Sequence, residues 1–139
     1  MHATGAKGDI GVAYATADLI AKGWEVLLPV SATSPFDLVA HRHSKFLRVQ
    51  VKYCSAGVAG GFEVRLRRAW IGAKRTEWRR NTECDLVCAY CPDTRTCYYL
   101  KPEACPIKLR IVPTLSGQQK GINWALHYTE IPEAVLRAA

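Results

Sequence analysis

Residues 46–53 (FLRVQVKY) constrain this chain more than any other stretch, because their side chains alternate strictly in character. Leu47, Val49, Val51 and Tyr53 fall on one side of a period-two strand, and Arg48, Gln50 and Lys52 fall on the other. A strand patterned this way needs an apolar layer over one face and leaves a polar row on the second. Just before it, residues 36–41 (FDLVAH) read as a second short strand, and residues 41–45 (HRHSK) as a polar turn. A tight hairpin of these two strands brings Asp37 beside Gln50.

Around this hairpin the chain reads as α+β, one domain over residues 1–139, long enough to bury its own core. Lys7-Gly8-Asp9 opens a helical pattern whose inward positions are expected to be Ile10, Ala13, Ala17 and Ile20, with Tyr14 and Ala21. Asp9 suits the start of that helix as a cap, and Lys22-Gly23 its stop. Residues 24–30, 62–66 and 108–112 read as further strands, with a glycine-rich turn at 55–61. Residues 85–100 read as a β-hairpin around Pro92-Asp93-Thr94-Arg95, and Pro132 starts a terminal helical turn. The segment up to Arg80 is ambiguous between loop and helix.

The formal net charge of +7 points to a polyanionic partner, nucleic acid ahead of a membrane surface. Its distribution sharpens the expectation. Arg65, Arg67, Arg68, Lys74, Arg75, Arg79 and Arg80 crowd one stretch opposed only by Glu77, with Trp70 and Trp78 among them. These seven cations are the candidate nucleic-acid contacts, with duplex DNA the expected partner once the resemblance below is added. No apolar run approaches the ~20 residues of a membrane span, and the first residues lack a secretory apolar core. A soluble, intracellular protein is expected.

The six cysteines raise zinc, since Cys88-Ala-Tyr-Cys91 has the spacing of half a zinc knuckle. In a strand, however, residues three apart point to opposite faces, so reduced and buried thiols are the expected state.

Hydrolysis of a phosphodiester calls for a divalent cation and for a cationic group near the nucleophile or the developing charge. Asp37, the Gln50 side-chain oxygen and the Val51 carbonyl form an oxygen set suited to Mg²⁺, with Mn²⁺ an alternative. Lys52, on the same face as Gln50, would orient water or stabilise charge at phosphorus. In order along the chain, Lys7-Gly8-Asp9-Ile10-Gly11, Pro35-Phe36-Asp37-Leu38 and Gln50-Val51-Lys52 resemble the PD-(D/E)XK nuclease superfamily. The likeness is to its small prokaryotic endonucleases related to a group I intron homing enzyme with a Gln-x-Lys motif.

The resemblance implies a restriction-endonuclease-like αβββαβ core, a mixed sheet flanked by helices. It also implies Mg²⁺-dependent cleavage of double-stranded DNA of homing, restriction or junction-resolving type, by a homo-oligomer, dimer or tetramer. Many members place a glutamate on the first helix, where this chain has Val12, and Asp9 is the nearest substitute acid. The rival expectation is a catalytically inactive DNA-binding module that keeps the fold.

Overall fold

The computed structural model, which describes residues 3–80 and 83–138, is organised around the strand that the alternation marks. Strands β1 (Glu25–Leu27), β2 (Leu38–Arg42) and β3 (Lys45–Tyr53) form an antiparallel meander. Strand β7 (Leu86–Cys91) then runs parallel to β3 and pairs with β8 (Thr96–Leu100), giving the order β1-β2-β3-β7-β8. The β2–β3 connection is a two-residue turn in which His43 (φ 49°) and Ser44 (φ 64°) both take left-handed backbone. This is the turn whose twist matches a hairpin, and it fixes Leu38 opposite Val49 and Ala40 opposite Leu47.

The first helix, α1 (Ala3–Ala21), starts upstream of the expected point. Asp9 therefore lies inside the helix and does not cap it. The buried face also differs from the expected one. Ala15 and Leu19 are fully buried and Val12 packs beside them, whereas Ile10, Tyr14 and Ile20 remain 42%, 42% and 57% exposed. The reason is space. A Cβ on Gly11 would stand 3.3 Å from Val51 Cγ1, so the small face of the helix meets the large side chains of β3. Burying the isoleucines there would hold the helix off the sheet. At the other end, Gly23 (φ 90°) donates to Ile20 O and Trp24 N–H to Leu19 O, closing the expected glycine stop.

The two sheet faces are covered differently. One carries Leu47, Val49, Val51, Cys88 and Tyr99 under α1, and Val135 of the terminal helix α2 (Glu133–Ala138) joins them. The other carries Val87, Ala89, Cys91 and Tyr98 under a two-stranded ribbon of β4 (Gly61–Val64) and β9 (Ile107–Arg110). The basic segment is neither loop nor helix. It forms an antiparallel ribbon, β5 (Arg67–Ile71) with β6 (Thr76–Arg80), closed by Gly72 N–H on Arg75 O. Between β3 and β7, where an αβββαβ order has its second helix, the described residues offer a 3₁₀ turn at Gly57–Ala59 and strands. Alternation failed to mark the ribbon because its strands mix arginine, tryptophan and small residues without a polar–apolar rhythm.

Candidate active site

Asp37 stands one residue before β2, in line with Gln50 on β3. Its backbone N–H donates to Val49 O at 2.9 Å, which extends the hairpin ladder to this residue. Its carboxylate turns inward over β3, where Oδ2 accepts the Val51 backbone N–H at 2.7 Å and Gln50 Nε2 at 2.9 Å. The hairpin thus brings together the three residues that the sequence grouped as metal donors. Lys52, half-buried two residues beyond Gln50 on the same face, lies close enough to act on Asp37 electrostatically. Burial pushes the Asp37 carboxyl above its ordinary range, and the Val51 N–H and the Lys52 ammonium pull it down without cancelling that push.

The side-chain row of β3 passes from open to covered. Phe46 is 60% exposed, Arg48 exposed, Gln50 and Lys52 half-buried, and Cys54 only 8% exposed. Asp37 and Lys52 therefore sit where solvent gives way to a packed interior, a setting that strengthens charge interactions. The Cys54 thiol is pushed up to about 12 by burial and by Cys91, and the Cys84 thiol to about 11 by burial and by Asp85, with Lys52 easing both. These thiols are protonated at neutral pH and unsuited to nucleophilic attack.

Asp9 is not gathered into this group. It is exposed on α1, the helix that covers the face carrying Val51 and Tyr53, whereas Gln50 and Lys52 project from the opposite face. Val12 packs against the core, so α1 offers no carboxylate in its place. Among the described residues no group of three or more histidine, cysteine or acidic side chains can hold a metal. A single carboxylate among oxygen donors does fit a hydrated hard cation, which needs only one or two protein carboxylates. Both described hydrogen bonds to Asp37 fall on Oδ2, and the Gln50 amide that donates through Nε2 carries an oxygen donor on its other arm. All six cysteines are free and buried, with Cys88 in the core under α1 and Cys91 in the core under the β4–β9 ribbon. The diverging pair expected of a strand is what the fold contains.

Of the seven basic candidates, Arg65 is ion-paired with Glu63, and Lys74 and Arg75 are exposed at the turn of the β5–β6 ribbon. Arg67 begins β5, and the backbone register sets it opposite Arg80 and sets Arg68 opposite Arg79. Sequence reasoning missed the pair Arg48–Asp85. Asp85 precedes β7 as Asp37 precedes β2, and it binds both the backbone and the guanidinium of Arg48. The polar row of β3 already contained Arg48, but a partner 37 residues away across a parallel pairing leaves no local trace.

A mixed sheet built from a meander and a parallel fourth strand is the restriction-endonuclease-like arrangement. The fold matches that of a solved bacterial homing endonuclease, I-Ssp6803I, with a TM-score of 0.73 and 25% sequence identity over 91% of this chain and 88% of that one. The sequence profile described as PD-(D/E)XK endonuclease matches residues 2–131, and the chain belongs to that family, whose nucleases generally use divalent metals. No curated protein matches the sequence. No helix among the described residues is long and apolar enough to cross a membrane.

Proposed function

We propose that the protein is a Mg²⁺-dependent endodeoxyribonuclease that hydrolyses phosphodiester bonds in double-stranded DNA. The observation that carries this reading is the convergence of the Asp37 carboxylate, the Gln50 amide and the Val51 backbone under the field of Lys52. Asp37, Gln50 and the Val51 carbonyl would hold the cation; Mn²⁺ is the alternative occupant. When bound, it supplies charge neutralisation at the phosphate and acidifies a water. Val51 N–H and Gln50 Nε2 keep the Asp37 carboxylate in a fixed orientation before substrate arrives. Lys52 holds an ammonium at the same wall to orient water and to stabilise the charge that develops on phosphorus oxygens.

The β5–β6 ribbon supports duplex DNA as substrate. A two-stranded ribbon fits the major groove, and the stretch that forms this one is dense in arginine and lysine. Arg65, Arg67, Arg68, Lys74, Arg75, Arg79 and Arg80 are the proposed contacts. One site of this kind cuts one strand, so a homo-oligomer, dimer or tetramer, completes the reading, and the exposed Ile10, Tyr14 and Ile20 on α1 suit such packing.

Incubation of supercoiled plasmid with the protein and Mg²⁺ is the test. Wild type should nick or linearise it, and Asp37→Ala and Lys52→Ala should each lower the rate on the order of a hundredfold or more. Cutting that survives both substitutions overturns the site. The second reading, an inactive DNA-binding module, is favoured by the single carboxylate that the described residues bring to the site and by the packing of Val12 against the core. Salt-sensitive binding without cutting in either metal would establish it.

A further inference from the structure

We propose that Arg48 is a DNA-phosphate contact, held in place by Asp85 one step along β3 from the reacting groups; this rests on the nuclease reading above. Asp85 Oδ2 accepts the Arg48 backbone N–H at 2.8 Å and Nε–H at 3.1 Å, and Oδ1 accepts from Nη2 at 3.1 Å. In return the Asp85 N–H donates to Arg48 O at 2.8 Å. The two backbone bonds would tie β3 to β7 with any residue at position 48. The guanidinium is therefore not needed for register. Its fork is bound to Asp85 on one edge, and three of its five N–H groups lie outside that pairing. An arginine fixed by a carboxylate on one edge presents the other with little entropy left to lose, a favourable state for meeting phosphate.

Position supports the same assignment. Arg48, Gln50 and Lys52 share one face, so Arg48 is ~6.6 Å from Gln50 along the strand. That is the scale of the spacing between successive phosphates along one DNA strand. The row is also open at its Arg48 end, where the Arg48 side chain is 45% exposed and Phe46, stacked on His41 at 4.4 Å, is 60% exposed. It closes beyond Lys52 at Cys54. A polyanion that reaches Gln50 and Lys52 along this face arrives over Arg48.

The test uses the intact protein and a labelled random-sequence duplex, with Ca²⁺ replacing Mg²⁺ to hold the DNA uncut. Affinity is measured by fluorescence anisotropy across a salt series for wild type, Arg48→Gln, Arg48→Lys and the surface control Arg137→Gln. Each phosphate contact adds about one to the slope of log affinity against log salt. Arg48→Gln should lower that slope by about one, whereas Arg48→Lys and Arg137→Gln should keep it. Thermal melts should hardly move, since an exposed ion pair contributes little stability. A wild type that binds, with an Arg48→Gln slope equal to that of Arg137→Gln, overturns this assignment alone. A wild type with no salt-dependent binding to duplex DNA overturns the nuclease reading as well.

Discussion

At Asp37 stability and the proposed chemistry are opposed. Its carboxyl is raised above the ordinary value of 3.8, so the folded chain binds that proton more tightly than the unfolded chain does. Folding is then favoured with the proton on, and this contribution is lost as pH rises from the ordinary carboxylate value through the raised one. At neutral pH the ionised group is a cost that the fold carries for the site. Two changes should relieve it. Asp37→Asn keeps an acceptor for Val51 and Gln50 without the charge, and should raise the melting temperature at neutral pH, with the gain vanishing on acidification. Mg²⁺ should raise the wild-type melting temperature and leave that of Asp37→Asn unmoved. A variant that melts below wild type at neutral pH would mean that the charge is stabilising. Asp37 and Gln50 were legible in the sequence because a tight turn between alternating strands allows only one pairing. Asp85 was not, because parallel pairing to β7 is long-range.

Among the elements, α1 shows how an alanine-rich helix conceals its own orientation. Ala6, Ala13, Ala15, Ala17 and Ala21 spread small apolar groups around the cylinder, so spacing alone could not tell the inward face from the outward one. The sheet decides it, because Val51 and Tyr53 leave room only for Gly11. Gly11→Val should therefore destabilise by about 1–3 kcal/mol in urea unfolding, despite the better helix propensity of valine. It should also lower metal-dependent protection, since the displaced helix presses on Val51, whose N–H holds Asp37. Unfolding at the wild-type midpoint would show that the contact has slack. The β5–β6 ribbon was illegible for a different reason. Its strands place arginine, tryptophan and small residues in an order with no period-two rhythm for a sequence reading to catch.

For the whole molecule, a net charge of +7 becomes directional once the fold distributes it. The exposed Lys74 and Arg75 project charge at the tip of one ribbon, and Arg48 and the half-buried Lys52 share one face of β3. The paired substitution Lys74→Glu/Arg75→Glu should flatten the salt dependence of duplex binding by about two while leaving the thermal melt in place. An unchanged slope would remove the ribbon tip from the interface. The β2–β3 turn has a wider consequence. His43 and Ser44 set the phase of everything that follows them on β3. A one-residue slip of the register that this turn sets would rotate the proposed catalytic row into the greasy interior and bring valines to the proposed DNA-facing side. Loop length is freely variable on most protein surfaces. On the proposed function it is as much a part of the reaction as the groups that would touch phosphate, although no atom of the loop takes part.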